Sequence, residues 1–218
     1  MTDMGWTKGK IGSIFFVATV LALLCRVFIV EVFRVVSTSM EPNLKRGDLV
    51  FVSKSAFNLR IPFSTFELVT FSRPVRGEVV AFNDPSGDGD VFVKRVVALE
   101  GDEVEMRDGN LLLNGKSALL SEPTPERNVA EDDDLEWENL DRKYPIFHKG
   151  KSPSGTYGPV LVPKNHFFVL GDNRQSSQDS RAWGPVPFSH LRGRVTRVWI
   201  SLDDSGAVRK DRIWKSIQ

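Results

Sequence analysis

A chain of 218 residues suits one domain, or one domain with a large insertion, and is long enough to bury a core without covalent staples. A formal net charge of +1 gives a nucleic-acid-binding role no electrostatic support. The single cysteine, Cys25, excludes an internal disulfide, and the scattered histidines His148, His166 and His190 have no metal-ligand spacing to cysteine or carboxylate clusters.

The first element in chain order is apolar. It begins at Ile11, runs unbroken to Cys25, is interrupted by Arg26, and continues to Val30. Twenty helical residues span roughly 30 Å, about one hydrocarbon core, so a transmembrane helix is predicted over 11–30. Arg26 lies near one end, where its head can snorkel to the interface. Lys8 and Lys10 precede the run, a charge bias that favours a cytoplasmic N-terminus, and Trp6 is placed as an interfacial anchor. A cleavable signal peptide and a buried helix of a soluble protein are the competing readings. The uncleaved anchor is preferred because a candidate catalytic serine, Ser39, follows within ten residues of Val30.

Beyond Val30 the pattern turns to short β-branched and alternating runs. Strands are predicted at Asp48–Lys54, Glu78–Phe82, Val91–Leu99, Glu103–Arg107, Asn110–Leu113, His166–Leu170 and Arg194–Ser201, with Asp108-Gly109 as a hairpin turn. No later stretch sustains helical periodicity, so the fold class is mainly β with antiparallel sheets. Residues 121–160 read as an insertion of long loops outside the core, and the acidic run Glu131–Glu138 as a solvated face. Phe57, Phe63, Phe66 and Phe71 mark a segment that is either core or a membrane-touching loop.

Three segments carry chemistry. In Val36-Ser37-Thr38-Ser39-Met40-Glu41-Pro42, serines two apart in extended chain share a side. One could then attack a carbonyl while the other donates to the developing oxyanion, a contribution typically worth ~10²–10³ in rate, although a serine pair before a proline turn is ordinary by itself. In Val91-Phe92-Val93-Lys94-Arg95-Val96-Val97, Lys94 sits among apolar neighbours. Full burial can lower an ammonium pKa by ~3–5 units and leave a neutral amine able to take a serine proton. A surface lysine at a strand end is the plainer alternative. The polar loop Gly171–Pro185 leaves a strand and holds Asp172, Ser177, Asp179 and Arg181. Asp179 and Arg181 are spaced to pair, and a small hydroxyl such as Ser177 can hold an amine; a structural turn with a surface ion pair is the plainer alternative.

Taken together, these segments resemble the type I signal peptidase family. Ser39-Met40-Glu41-Pro42, Arg46-Gly47-Asp48, Lys94-Arg95-Val96 with Gly101-Asp102, and Gly171-Asp172-Asn173-Arg174 through Asp179-Ser180-Arg181 with Trp183-Gly184 are similar to its motifs in order, from the apolar run to about Trp199. The resemblance implies an antiparallel β catalytic core with an inserted smaller β/loop region, preceded by one transmembrane helix. It divides the chain into a short cytoplasmic N-terminus (1–10), the helix (11–30), a peptidase domain (31–202, with an insertion at about 116–160) and a C-terminal tail (203–218). It implies a serine endopeptidase with Ser39 as nucleophile and Lys94 as base. Ser37 and the Ser39 N–H would serve the oxyanion, Ser177 would orient the Lys94 amine, Asp179, Arg181 and Asp172 would brace the site, and Met40 would pack beside the substrate. No cofactor or metal is implied.

The substrates implied are exported preproteins, cut after a small residue in an A-x-A-like context at a bacterial cytoplasmic membrane, in functional contact with lipid and the export machinery. Val36 stands where the family often has proline, and Asn43 where threonine is usual. Three alternatives stay open. One is a dedicated processing peptidase of a conjugation-like system, and another a membrane-tethered β domain without catalysis. The third is a self-cleaving repressor, which the apolar N-terminus disfavours.

Overall fold

The computed structural model describes residues 10–20, 29–60, 67–70, 72–85, 87, 89–120, 135–148 and 156–217. A helix, α1, covers 10–20, with Ile14, Phe15 and Phe16 exposed on it. Among the described residues no helix is long and apolar enough to cross a membrane. Trp6, Cys25 and Arg26 lie outside them. The helix expected over 11–30 stops short of its predicted end. Ile29 is in a turn and Val30 opens a strand, because Val30-Glu31-Val32-Phe33-Arg34 pairs residue for residue with 49–53. Backbone pairing outweighs the apolar continuity there.

Among the described residues fifteen strands follow. They are β1 (Val30–Arg34), β2 (Asp48–Ser53), β3 (Asn58–Arg60), β4 (Glu67–Thr70), β5 (Val79–Asn83), β6 (Val91–Leu99), β7 (Glu103–Arg107) and β8 (Asn110–Leu113). Next come β9 (Lys116–Ser117), β10 (Leu135–Asn139), β11 (Lys143–Phe147), β12 (Tyr157–Leu161), β13 (His166–Leu170), β14 (Val186–Pro187) and β15 (Leu191–Ser201). One helical turn, α2 (Ser180–Trp183), stands between β13 and β14. Among the described residues the paired strands are all antiparallel, as the sequence pattern predicts, with one isolated parallel bridge between Phe147 and Asn173. The main sheet has the order β1-β2-β15-β5-β6-β13-β14, and a second sheet has the order β12-β7-β8-β9. Asp108 and Gly109 both adopt positive φ in the β7–β8 turn, the backbone that a two-residue hairpin requires.

The main sheet is buried on both faces over its centre. Val79 and Ala81 of β5 pack with Met40, Leu44, Val50, Val52, Val195 and Val198. Their neighbours Val80 and Phe82 point the other way and pack with Phe57, Val96, Phe167 and Val169. Each such side chain contributes roughly 1.5–3 kcal/mol relative to exposure. Phe57 is therefore core, whereas Phe63, Phe66 and Phe71 lie outside the described residues.

The 121–160 region departs from its sequence reading. Residues 121–134 and 149–155 lie outside the described residues, but β10 and β11 form a hairpin whose Tyr144 and Ile146 are each 1% exposed. Glu138, at the end of the acidic run, is equally buried rather than solvated, because it meets the Arg174 guanidinium. The C-terminal segment folds back on β15: Val198 N–H donates to Lys215 O and Ile217 N–H to Thr196 O. Arg212 is held there by a buried ion pair with Asp48.

Candidate active site

The β1–β2 connection carries Ser37 and Ser39. Val35 N–H donates to Asp48 O and Gly47 N–H to Val35 O, which closes the loop at its base. Within it Leu44 N–H reaches Met40 O, and the Met40 and Leu44 side chains anchor the turn in the core. The candidate serine is thereby held by buried neighbours while the chain before it, Val36 to Thr38, stays exposed. Met40 lies under the site, at 1% exposure, as part of this anchor.

Lys94 lies near the middle of β6, opposite Val80 of β5. On the other side β13 ends at Leu170, opposite Arg95, so the loop 171–179 leaves the sheet level with Lys94. Lys94 Nζ is 2.5 Å from Ser39 Oγ, with both residues buried. Ser37 Oγ is 3.1 Å from Ser39 Oγ. Burial drives the Lys94 pKa down to about 8, against the opposing fields of Asp179 and then Asp172, and Arg181 adds to the lowering. At pH 7 roughly a tenth of such an amine is neutral and able to accept a proton from the hydroxyl it touches.

The loop itself is braced by Asp179. Its carboxylate accepts from Arg181 Nε and Nη2, both at 2.8 Å, and from Gly171 N–H at 2.9 Å. Burial pushes its pKa up, but the Arg181 pair and these donors hold it below the usual carboxylate range. Asn173 N–H donates to Ser39 O at 3.0 Å, which ties the loop directly to the serine.

Ser177 makes no hydrogen bond to Lys94 in this structure. Its Oγ is buried and closes no hydrogen bond of ordinary geometry, to Lys94 or to any other described group. It lies near enough to Asp179 to help lower that pKa.

Asp172 and Arg95 form a bidentate ion pair at 2.7 and 2.8 Å, both at 0% exposure. Asn43 Nδ2 donates to the same carboxylate and to Pro145 O, each at 2.8 Å. Sequence reasoning missed Arg95, Glu138, Tyr144 and Arg174 as site supports. For Arg95 a signal existed: it alternates with Lys94 in an apolar strand, and a buried guanidinium needs a carboxylate. Among the described residues no cluster of side chains suits a metal ion.

Gly171 shows how closely the two segments approach. A Cβ at this position would intrude on Ser177 Oγ and Cβ and on the Ser39 carbonyl. Gly171→Ala therefore pushes the loop off the serine. The expected result is at least a tenfold fall in kcat with about 1–3 kcal/mol lost in stability, measured by peptide cleavage and thermal melting. Unchanged values for both would contradict the close packing.

A buried hydroxyl bonded to a lysine of depressed pKa, in an antiparallel β scaffold, is the arrangement that a peptidase with a hydroxyl nucleophile and a general base would need. Residues 8–200 match the family described as signal peptidase, peptidase S26. Signal peptidase I of Pseudomonas fluorescens is 33% identical over 87% of this chain and 72% of its own length. A probable signal peptidase I-2 of a Synechocystis species is 33% identical over 90% and 78%, and signal peptidase I of Bacillus licheniformis 36% identical over 81% and 76%. The chain belongs to the signal peptidase family, and it is a serine peptidase.

Proposed function

We propose that this chain is a membrane-anchored endopeptidase that removes N-terminal signal peptides from exported preproteins, with Ser39 as nucleophile and Lys94 as general base. The observation that carries the reading is the buried 2.5 Å contact between Lys94 Nζ and Ser39 Oγ. Neutral Lys94 takes the Ser39 proton as Oγ attacks the scissile carbonyl. The Ser39 N–H and Ser37 hydroxyl receive the oxyanion, and the proton passes from Lys94 to the leaving amine. Lys94 then activates water to release the acyl group from Ser39.

Substrates come from the family, whose relatives are named signal peptidases. The anchoring rests on the apolar run 11–30 and on the apolar side chains that α1 exposes. In this reading the domain over 31–202 lies outside the cytoplasm, at a bacterial inner membrane, beside the export machinery.

The test is cleavage of a purified preprotein in detergent, combined with mass mapping after an acylating active-site inhibitor. A mature-sized product and an adduct on Ser39 are expected. An adduct without cleavage would favour a dedicated processing peptidase with a narrow substrate. Neither product nor adduct would favour a non-catalytic tethered domain.

A further inference from the structure

The catalytic loop is attached to the β10–β11 hairpin by more than packing. Phe147 N–H donates to Asp172 O, and Arg174 N–H donates back to Phe147 O. The Arg174 side chain then turns into the hairpin, where Nη1 and Nη2 grip both oxygens of Glu138. Both residues are buried, and Tyr144 Oη donates to Glu138 Oε2 at 2.8 Å. The same guanidinium reaches back through Nε to Gly171 O at 3.1 Å, and the Arg174 carbonyl accepts from Arg181 Nη2 at 2.7 Å. One side chain thus holds both ends of the turn that presents Asn173 N–H to the Ser39 carbonyl. The Tyr144 ring also lies 4.0 Å beneath the Arg95 guanidinium, the partner of Asp172.

We propose that the Glu138–Arg174 ion pair, set by Tyr144, is a positioning device through which the β10–β11 hairpin holds loop 171–181 in register with Ser39. This rests on Ser39 being the nucleophile. A buried ion pair is seldom retained for stability alone, since two apolar residues of similar volume often serve as well. Its orientation of a loop that touches the reacting serine supplies a different reason. A displacement of about 1 Å at a reacting centre can cost ~10²-fold in rate.

The experiment measures kcat, KM and melting temperature on one peptide substrate for the wild type and three variants. They are Tyr144→Phe, the double variant Glu138→Met with Arg174→Met, and Ser39→Ala. Tyr144→Phe keeps the ring under Arg95 and removes only the hydroxyl on Glu138. The expected result is a kcat several-fold lower with KM within twofold. The double variant leaves no unpaired charge. It is expected to melt near the wild-type temperature with kcat at least tenfold lower. A purely structural role predicts that kcat recovers with the melting temperature, and wild-type kcat in a stable double variant would overturn the proposal. Should the double variant not fold, wild-type kcat in Tyr144→Phe overturns it instead. Cleavage by Ser39→Ala would defeat the underlying assignment of the nucleophile, whatever the other variants do.

Discussion

Lys94→Arg is expected to lose cleavage by a factor on the order of 10²–10⁴ in kcat, the range that a general base contributes. The fold can survive, because the site already holds a long cationic side chain. The chemistry cannot, because a guanidinium does not give up its proton in the working range. The wild type should show the same dependence through pH. With Lys94 held near 8 by burial, kcat/KM for a neutral peptide falls roughly tenfold per unit of acidification below pH 8 and levels off above it. A flat profile from pH 6 to 9, or appreciable cleavage by the arginine variant, would refute the lysine base.

The same depressed pKa has a consequence for stability, with the sign opposite to that of a salt-bridged lysine. The folded state holds Lys94 near 8, below its ordinary value of 10.5. Below pH 8 the amine is charged in both states, and the folded state bears the cost of burying it. That cost shrinks as pH rises from 8 towards 10.5 and is gone above it. Lys94→Met should therefore stabilise the protein by up to about 3 kcal/mol at neutral pH, with no gain in strong alkali. Melting curves at pH 7 and pH 11 would show this, and an equal effect at both would count against a buried ammonium. In the proposed mechanism the general base is thus a residue that costs stability.

Asp172→Asn is the second large effect. Arg95 is completely buried, with its Nε and Nη2 on the Asp172 carboxylate and Nη1 on Gly77 O. Removing the negative charge leaves a guanidinium in the interior, and breaking such a pair typically costs about 3–5 kcal/mol. The expected readout is a large fall in the denaturant midpoint. A second readout separates electrostatics from damage. Asp172 raises the Lys94 pKa through its field, so its loss lowers that pKa. The acidic limb of the rate profile should move below 8 even as the total rate drops. An upward move of the limb would mean that water has entered the site and that repacking dominates.

Several parts of this arrangement were legible in the residues. The run Val91–Leu99 reads as a strand with its observed ends, because β-branched residues on both faces fit only a sheet covered on both sides. Asp108-Gly109 fixes a tight hairpin because those two residues tolerate positive φ. Ser39 and Lys94 stood out only in combination, each being ordinary alone. Other parts were not legible. The β10–β11 hairpin carries charges on alternate positions, so its burial pattern is invisible until Arg174 supplies a partner for Glu138. The burial of Ser177 Oγ without a hydrogen-bond partner could not be read from a polar loop sequence either.

The sequence by itself determined the antiparallel β class, the apolar N-terminal run, and the presence and order of the serine, lysine and aspartate–arginine segments. These depend on local periodicity, turn chemistry and residue type, which act over a few positions. The tertiary structure alone decided that residues 55 positions apart would touch at 2.5 Å, and which carboxylate would take which guanidinium. It also decided that an apparently solvated hairpin would be buried against the loop that carries Asp172 and Arg174. Those outcomes depend on sheet order and on desolvation, which set pKa values and ion pairing only after β5, β6 and β13 have come together.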